Sequence, residues 1–98
     1  MIENKVALIT GVSSGIGRET AELFADRSAR VFGTVRDLRR ARPIAQVELL
    51  LMDVTDDRSV NEGVGSVLGK AGQIDILVNN ARYSLAGAGI FAPTLSAH

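Results

Sequence analysis

The stretch LITGVSSGIGRET, from Leu8 to Thr20, carries three glycines between an apolar run and a helical pattern: Gly11, Gly15 and Gly17. Glycine permits positive φ and close backbone approach, and a helix start presents free N–H groups with partial positive charge. Such a turn can hold an anion such as a pyrophosphate. The spacing is G-x-x-x-G-x-G without a following G-K-S/T, which argues against a nucleotide triphosphatase loop. A tight strand–helix turn that binds nothing is the alternative.

Apolar segments alternate with helical or loop segments along the rest of the chain. They predict strands at Lys5–Thr10, Ala29–Val35, Val47–Val54 and Ile74–Ala81. Runs that are apolar almost throughout are typical of strands buried on both faces. One helix is predicted from Ile16 to Asp26, a short helix or loop before the third strand, and a second helix capped by Thr55 or Asp56. This alternation predicts an α/β fold with parallel strands.

Helical spacing also predicts which side of each helix is buried. The first helix has four residues on one face that we expect to pack on the sheet: Ile16, Thr20, Leu23 and Phe24. The second helix has apolar positions at Val60, Val64, Val67 and Leu68. Glycines at 63, 65 and 69 weaken that second helix, since each costs up to about 1 kcal/mol in a helix interior.

The composition excludes several classes of function. Eleven basic and eleven acidic residues balance in a chain of 98, so net charge gives no indication of a nucleic-acid or anionic-membrane partner. The absence of cysteine excludes disulfides and thiolate metal sites, and we predict no metal site. No segment has the roughly 20 apolar residues that cross a bilayer, and no signal-peptide pattern is found. We therefore expect a soluble, cytoplasmic protein.

The segment TGVSSGIG, Thr10 to Gly17, resembles the T-G-x-x-x-G-I-G fingerprint of the short-chain dehydrogenase/reductase family. Three further segments match that family in order: Val35–Arg36, LMDVTDD around Asp53, and ILVNNA at Ile76–Ala81. The resemblance implies a partial Rossmann fold, with a parallel sheet of about four strands in the order 3-2-1-4 flanked by helices. It also implies an oxidoreductase whose intact members transfer hydride between NADP(H) and a carbonyl or alcohol.

The resemblance further implies a dinucleotide site. Its residues are Gly11, Ser13, Ser14, Gly15, Ile16, Gly17, Arg36, Asp53, Val54, Asn79 and Ala81. The glycines would lie beneath the pyrophosphate, the serines near the adenosine phosphates, and Ile16 below the nicotinamide-side ribose. Asp53 and the Val54 N–H would face the adenine, unless Asp53 merely caps the next turn. Asn79 and Ala81 would line the pocket, with a mainly sheet-stabilising role for Asn79 as the alternative.

The end of the second strand bears on the choice of cofactor. An acid there pairs with the ribose hydroxyls of NAD, whereas a nearby arginine accommodates the 2′-phosphate of NADP. The resemblance places Val35 where NAD-preferring members carry Asp, and Arg36 where NADP-preferring members carry a basic residue. A guanidinium binds a phosphate bidentately, so NADP(H) is favoured over NAD(H). Asp37 would weaken this assignment if the strand ends late, and we expect Arg39 and Arg40 to be solvated.

The catalytic pair that the resemblance would require has no counterpart in this sequence. The family uses a tyrosine with a lysine four residues later, because a neighbouring cation brings the phenol pKa toward the working pH. The only tyrosine is Tyr83, which has Gly87 at that spacing, so no catalytic residue is assigned. Arg82 also stands where the family carries a glycine, which puts the geometry of the nicotinamide half in question.

These observations predict a truncated dinucleotide-binding domain over residues 1–82 and an irregular tail over residues 83–98. The chain would be the N-terminal, cofactor-binding part of a short-chain oxidoreductase and would not be catalytically competent alone. A non-catalytic nucleotide-binding module and an inert fragment are the alternatives. The apolar fourth strand would lie at an edge of the sheet, which favours self-association through that edge.

Overall fold

The computed structural model describes residues 1–81, so Arg82 and the predicted tail 83–98 lie outside the described residues. The described elements are β1 (Val6–Thr10), α1 (Gly15–Asp26), β2 (Arg30–Val35), β3 (Val47–Leu51), α2 (Asp57–Ala71) and β4 (Ile76–Asn79). Their types and order are the predicted ones. The connection between β2 and β3 was predicted to be a short helix or a loop, and it is a loop with turns.

The strands form one parallel sheet in the order β3-β2-β1-β4, which confirms the predicted α/β fold. β1 is central, and its Leu8 is in register with Phe32 of β2 on one side and Leu77 of β4 on the other. All five β1 residues are buried, because helices cover both faces of the sheet. This burial explains why the β1 sequence is continuously apolar instead of alternating.

The α1 helix buries a different face from the predicted one. Its buried residues are Gly17, Ala21 and Ala25. Ile16 is 73% exposed and Leu23 is 46% exposed, so their predicted packing on the sheet is wrong. Phe24 does pack partly against the core. Small side chains at every fourth position let the helix approach the sheet closely, and this approach outweighs the burial of the larger residues.

The α2 helix begins after Asp56, whose carboxylate accepts a hydrogen bond from the Arg58 N–H at 3.0 Å. Asp56 is therefore the cap, and Thr55 is not. The buried residues are Val60, Gly63 and Val67. Leu68 is 43% exposed, contrary to the prediction. Gly63 lies against Met52, so a side chain there would collide with the core, and this glycine serves close packing.

Apolar clusters on the two faces of the sheet hold the helices in place. Ile9, Val31 and Val35 pack with the small residues of α1. Leu8 and Phe32 pack with Val67 of α2 on the opposite face. β3 and β4 end earlier than predicted, so residues 52–54 and 80–81 leave the sheet at its carboxyl edge. The segments that follow the four strands meet at that edge, where ligands bind in open α/β sheets.

Candidate functional site

The turn between β1 and α1 requires each of its three glycines for a different reason. Gly11 has φ of 73°, and a Cβ on it would lie 2.9 Å from the Cα of Ala81. Gly15 has φ of 63° with open space around it, so its need is conformational alone. A Cβ on Gly17 would overlap the carbonyl oxygen of Gly11, so this glycine allows the helix to lie against the strand. The turn is thus closely packed at Gly11 and Gly17, whereas space remains around Gly15.

The start of α1 lies at this turn, and no side chain of the helix start binds its free N–H groups or offsets its partial positive charge. Ser14 is the N-cap residue, yet its side chain makes no capping hydrogen bond within the described residues, and the first turn holds no acidic residue. The free N–H groups and the positive end of the helix dipole are therefore available to an anion. Ser14, Gly15 and Ile16 all line the adjacent cavity.

A buried hydroxyl joins the turn to the end of β4. The Thr10 Oγ1 donates to Asn79 Oδ1 at 3.2 Å and accepts from the backbone N–H groups of Asn80 and Ala81 at 2.9 and 3.0 Å. Asn80 Nδ2 in turn donates to the Gly11 carbonyl oxygen at 3.0 Å. Buried hydroxyls are stable only when bonded, so this network holds the segment after β4 against the glycine turn.

The turn is also attached to β2. The Gly11 N–H donates to Thr34 Oγ1 at 3.2 Å, and the Val12 N–H donates to the Thr34 carbonyl oxygen at 3.0 Å. Val12 is fully buried and lies against Gly33, where a Cβ would come within 2.6 Å of Val12 Cγ2. Backbone contacts on both sides therefore set the position of the turn.

A cavity of about 890 Å³ opens at this edge of the sheet. Nine of the eleven predicted site residues line it: Gly11, Ser13, Ser14, Gly15, Ile16, Arg36, Asp53, Val54 and Ala81. Gly17 and Asn79 do not line it. Gly17 is buried beneath the turn, and Asn79 bonds the Thr10 hydroxyl, in accord with the sheet-stabilising alternative. The structure thus brings together residues from four separate segments of the chain.

The wall after β2 carries charged residues. Arg36, Asp37 and Arg40 line the cavity, whereas Arg39 does not. Asp37 Oδ1 accepts a hydrogen bond from the Arg39 N–H at 3.0 Å and lies 3.6 Å from Arg39 Nε. Arg40 is exposed, as expected of a solvated residue, but it also forms part of the wall. β2 ends at Val35, so the strand does not extend to Asp37.

Asp53 both lines the cavity and holds the turn after β3. Its Oδ1 accepts hydrogen bonds from the Thr55 hydroxyl at 2.7 Å and the Thr55 N–H at 3.0 Å. The Thr55 hydroxyl, then its N–H and the Arg36 charge hold the Asp53 pKa below its ordinary value. The Asp53 N–H donates to Ser59 Oγ at 2.8 Å, which joins the site to α2. The carboxylate is therefore ionised at neutral pH, and its bonds to Thr55 are those expected of the turn-capping alternative.

Sequence reasoning missed several residues that build the site. Thr10, Thr34 and Asn80 were not assigned, although they supply the hydrogen bonds around the turn. The signal was available in part, because Thr10 and Thr34 are polar residues within the last two positions of apolar strands, where a buried hydroxyl requires a partner. Met52, which also lines the cavity, carries no such signal.

Two kinds of site are absent from residues 1–81. No cluster of three or more histidine, cysteine, aspartate or glutamate side chains that could hold a metal ion occurs there. Neither of the helices in this part of the chain combines the length and apolar character needed to cross a membrane.

The family model described as short chain dehydrogenase matches residues 5–93. The chain belongs to this family. It is 36% identical over 87 residues to 3-ketodihydrosphingosine reductase of Bacteroides thetaiotaomicron, covering 89% of this chain and 32% of that protein. It is 42% identical over 84 residues to 3-oxoacyl-(acyl-carrier-protein) reductase FabG of Escherichia coli, covering 81% of this chain and 34% of that protein. This short chain dehydrogenase sequence spans about a third of the length of these relatives.

Solved structures support the same family assignment. A 3-ketoacyl-(acyl-carrier-protein) reductase from Brucella melitensis, complexed with NADH, superimposes with a TM-score of 0.76 at 37% identity, covering 83% of this chain and 35% of that one. The glucose dehydrogenase of Caenorhabditis elegans in its apo-form gives 0.72 at 40% identity, covering 87% and 40%. The sheet and helices of residues 1–81 are thus those of the Rossmann fold of short chain dehydrogenases.

Proposed function

We propose that this chain binds a nicotinamide dinucleotide in the cavity at the carboxyl edge of the sheet, as the cofactor-binding part of a short-chain oxidoreductase. The observation that carries the proposal is the cavity itself, which brings the glycine turn, the start of α1, Asp53 and Arg36 together. Its volume of about 890 Å³ lies within the range of ligand sites. The NADH complex of the Brucella relative supports the choice of ligand class.

The residues present fit such a ligand. The uncapped start of α1 offers N–H groups to a pyrophosphate, and the positive φ of Gly11 and Gly15 shapes the turn beside it. Asp53, Val54 and Ala81 line the cavity. Asp53 and the Val54 N–H would bind the adenine, and Ala81 would lie beside the nicotinamide half. Gly17 and Asn79 would act from behind the wall by holding the turn and strand in place. When bound, the cofactor supplies or accepts the hydride, and this chain's residues orient it.

The finer proposal is that NADP(H) is preferred over NAD(H). Arg36 lines the cavity directly after the end of β2, and no carboxylate of residues 1–81 lies within 4.0 Å of it, although its charge acts on Asp53. Val35 offers no carboxylate to the ribose hydroxyls, and the Asp37 carboxylate is bonded to Arg39. An unpaired guanidinium favours the additional phosphate of NADP.

Calorimetric titration of the 98-residue chain with NADP⁺ and NAD⁺ tests both the binding of a dinucleotide and the preference for NADP(H). Saturable binding is expected, with NADP⁺ bound more tightly. Arg36→Asp should weaken NADP⁺ by about tenfold or more and leave NAD⁺ within about threefold, since only NADP⁺ carries the 2′-phosphate. Arg27→Asp makes the same charge change beyond the opposite end of α1 and should leave both affinities unchanged. Equal weakening of both cofactors by Arg36→Asp would reject the phosphate assignment, and no binding would reject the site.

We further propose that these 98 residues bind the cofactor without dehydrogenase turnover. The support is in the residues, since Tyr83 has Gly87 four positions later and the lysines are Lys5 and Lys70. Incubation of purified protein with NADPH and a panel of carbonyl compounds should show no loss of NADPH absorbance above a protein-free control. Oxidation that Gly15→Trp abolishes would overturn this proposal, because that variant blocks the cavity at the turn.

The remaining proposals concern organisation. Residues 1–82 would form one dinucleotide-binding domain with 83–98 as a tail, so limited proteolysis should cut after residue 82 first.

The β4 edge would mediate self-association, since Ile76, Leu77 and Val78 are half-buried and β4 pairs only with β1 in the described sheet. Sedimentation should show dimers, and a monomer at the highest attainable concentration would contradict this. A cytoplasmic location is proposed, and cell fractionation tests it.

A further inference from the structure

The loop after β2 contains arginines that differ in placement despite being neighbours. Arg36 and Arg40 both line the cavity, and Arg39 between them does not. A turn brings Arg40 back to the wall, because its N–H donates to the Asp37 carbonyl oxygen at 3.3 Å. Within residues 1–81, neither Arg36 nor Arg40 has a carboxylate within 4.0 Å. Two unpaired guanidinium groups therefore belong to the same wall.

The two carboxylates that line this cavity, Asp37 and Asp53, both accept hydrogen bonds from neighbouring residues. Asp37 Oδ1 bonds the Arg39 N–H at 3.0 Å and lies 3.6 Å from its Nε. Asp53 Oδ1 bonds the hydroxyl and N–H of Thr55. Asp37 and Arg39 largely cancel each other's charge, so Arg36 and Arg40 supply the remaining positive charge of the loop after β2. The ionised Asp53 after β3 interacts electrostatically with Arg36, which leaves Arg40 as the cation of this wall that no carboxylate offsets.

We infer that Arg40 is a second cation for the 2′-phosphate of bound NADP(H), acting beside Arg36, while Arg39 neutralises the carboxylate of Asp37. The inference rests on the proposed function. A phosphate monoester carries about −1.5 to −2 charges at pH 7, so one guanidinium leaves it partly uncompensated and a second completes the match. Arg40 thus extends the specificity of the site beyond the residue directly after the strand.

The test compares Arg40→Gln with Arg42→Gln in the full 98-residue chain, titrated with NADP⁺ and NAD⁺. Both variants remove one exposed guanidinium from the same loop, and Arg42 does not line the cavity. Arg40→Gln should weaken NADP⁺ about fivefold and NAD⁺ less than twofold, as for a solvent-exposed charged contact. Arg42→Gln should change neither affinity by more than about twofold. Thermal melts establish that both variants remain folded.

The pH dependence adds a readout that a purely structural role of Arg40 would not move. The second pKa of the phosphate is about 6, so the NADP⁺ penalty of Arg40→Gln should shrink at pH 5 relative to pH 7.5. An unchanged NADP⁺ affinity in Arg40→Gln, or equal loss of both cofactors, overturns the inference while the proposed function stands. Failure of the unsubstituted chain to bind either cofactor rejects both together.

Discussion

The β1–α1 turn and the β2–β3 connection line the same cavity but are held by different interactions. The turn depends on backbone packing, since Gly11 approaches Ala81 and Gly17 approaches the Gly11 carbonyl oxygen. A fully buried hydroxyl, that of Thr10, bonds the turn to the neighbouring strand end. The turn therefore leaves little room for side-chain change.

The β2–β3 connection is held by a few side chains at its far end. Arg18 of α1 donates to the carbonyl oxygens of Arg42 and Pro43 at 3.3 and 3.1 Å, and Ile44 is buried in the core. The residues from 36 to 40 are mostly exposed. Their charges can change at little cost to folding.

This difference separates two properties of the proposed site. Backbone groups in the turn can bind the part common to both dinucleotides, because every nicotinamide dinucleotide has a pyrophosphate. Exposed charges in the connection can select between the two dinucleotides without altering the fold. Substitutions in the turn should thus change the stability of the fold, whereas substitutions in the connection should change the preference between NADP(H) and NAD(H).

The largest effect is expected for Gly17→Ala in the turn. Its Cβ would lie 2.5 Å from Asn80 Nδ2 and closer still to the Gly11 carbonyl oxygen, so the helix must shift. We expect a loss of roughly 3 kcal/mol in unfolding free energy, measured by urea titration. Gly65→Ala in α2 meets nothing within 4 Å and should gain up to about 1 kcal/mol. Equal stability of the two variants would contradict the close-packing account of the turn.

Thr10→Val should follow in size. Valine keeps the shape but leaves the N–H groups of Asn80 and Ala81 without their acceptor, for an expected loss of about 2–3 kcal/mol. Thr10→Ser retains the hydroxyl and should lose only about 1 kcal/mol through the missing methyl group. Chemical denaturation measures both, and a serine variant as unstable as valine would show that the hydroxyl is not decisive.

Arg18→Ala should have a smaller effect that is confined to the connection. Loss of the bonds to Arg42 and Pro43 is expected to cost about 1 kcal/mol and to speed amide hydrogen exchange over residues 36–46. Glu22→Gln is the matched control, because it removes only the 3.8 Å ion pair with Arg18. Unchanged exchange in Arg18→Ala would mean that the connection is held by the burial of Ile44 alone.

The smallest effect is expected at the opposite edge of the sheet. The Val6 N–H donates to Asp75 Oδ2 at 2.8 Å, and this bond lowers the Asp75 pKa. A pKa below the unfolded value of about 3.9 gives stability that is present above about pH 5 and is lost as the pH falls through the folded pKa. Asp75→Asn should therefore flatten the acid limb of a stability–pH profile slightly. Asp26→Asn, which removes an exposed charge elsewhere, is the control, and an identical profile for both would contradict the role of the bond.

Much of the fold was predictable because its signals are local. Continuous apolar runs, helical spacing after Gly15 and the Asp56 cap depend on residues close in sequence. The buried face of α1 was not predictable in this way. Spacing favours Ile16 and Leu23, but contact with the sheet selects Gly17 and its small neighbours. The distance between helix and strand is a non-local quantity that composition does not contain.

The candidate site shows the same division. Its glycine turn, Arg36 and Asp53 follow from motifs, since each lies at the end of a recognisable strand. The partners of Thr10 and the different placement of Arg39 and Arg40 relative to the cavity depend on the folded chain. A motif indicates where the backbone must form a tight turn, whereas the hydrogen-bond partners of that turn come from segments distant in sequence.

The amino-acid sequence alone therefore established the family, the order of the elements and the place of the glycine turn, because glycine conformation and apolar periodicity are local properties. The folded structure assigned Gly17 and Asn79 to support behind the cavity and placed Arg40 on its wall. Those assignments depend on how closely separate segments approach one another. That approach results from packing across the whole sheet and not from any single stretch of the chain.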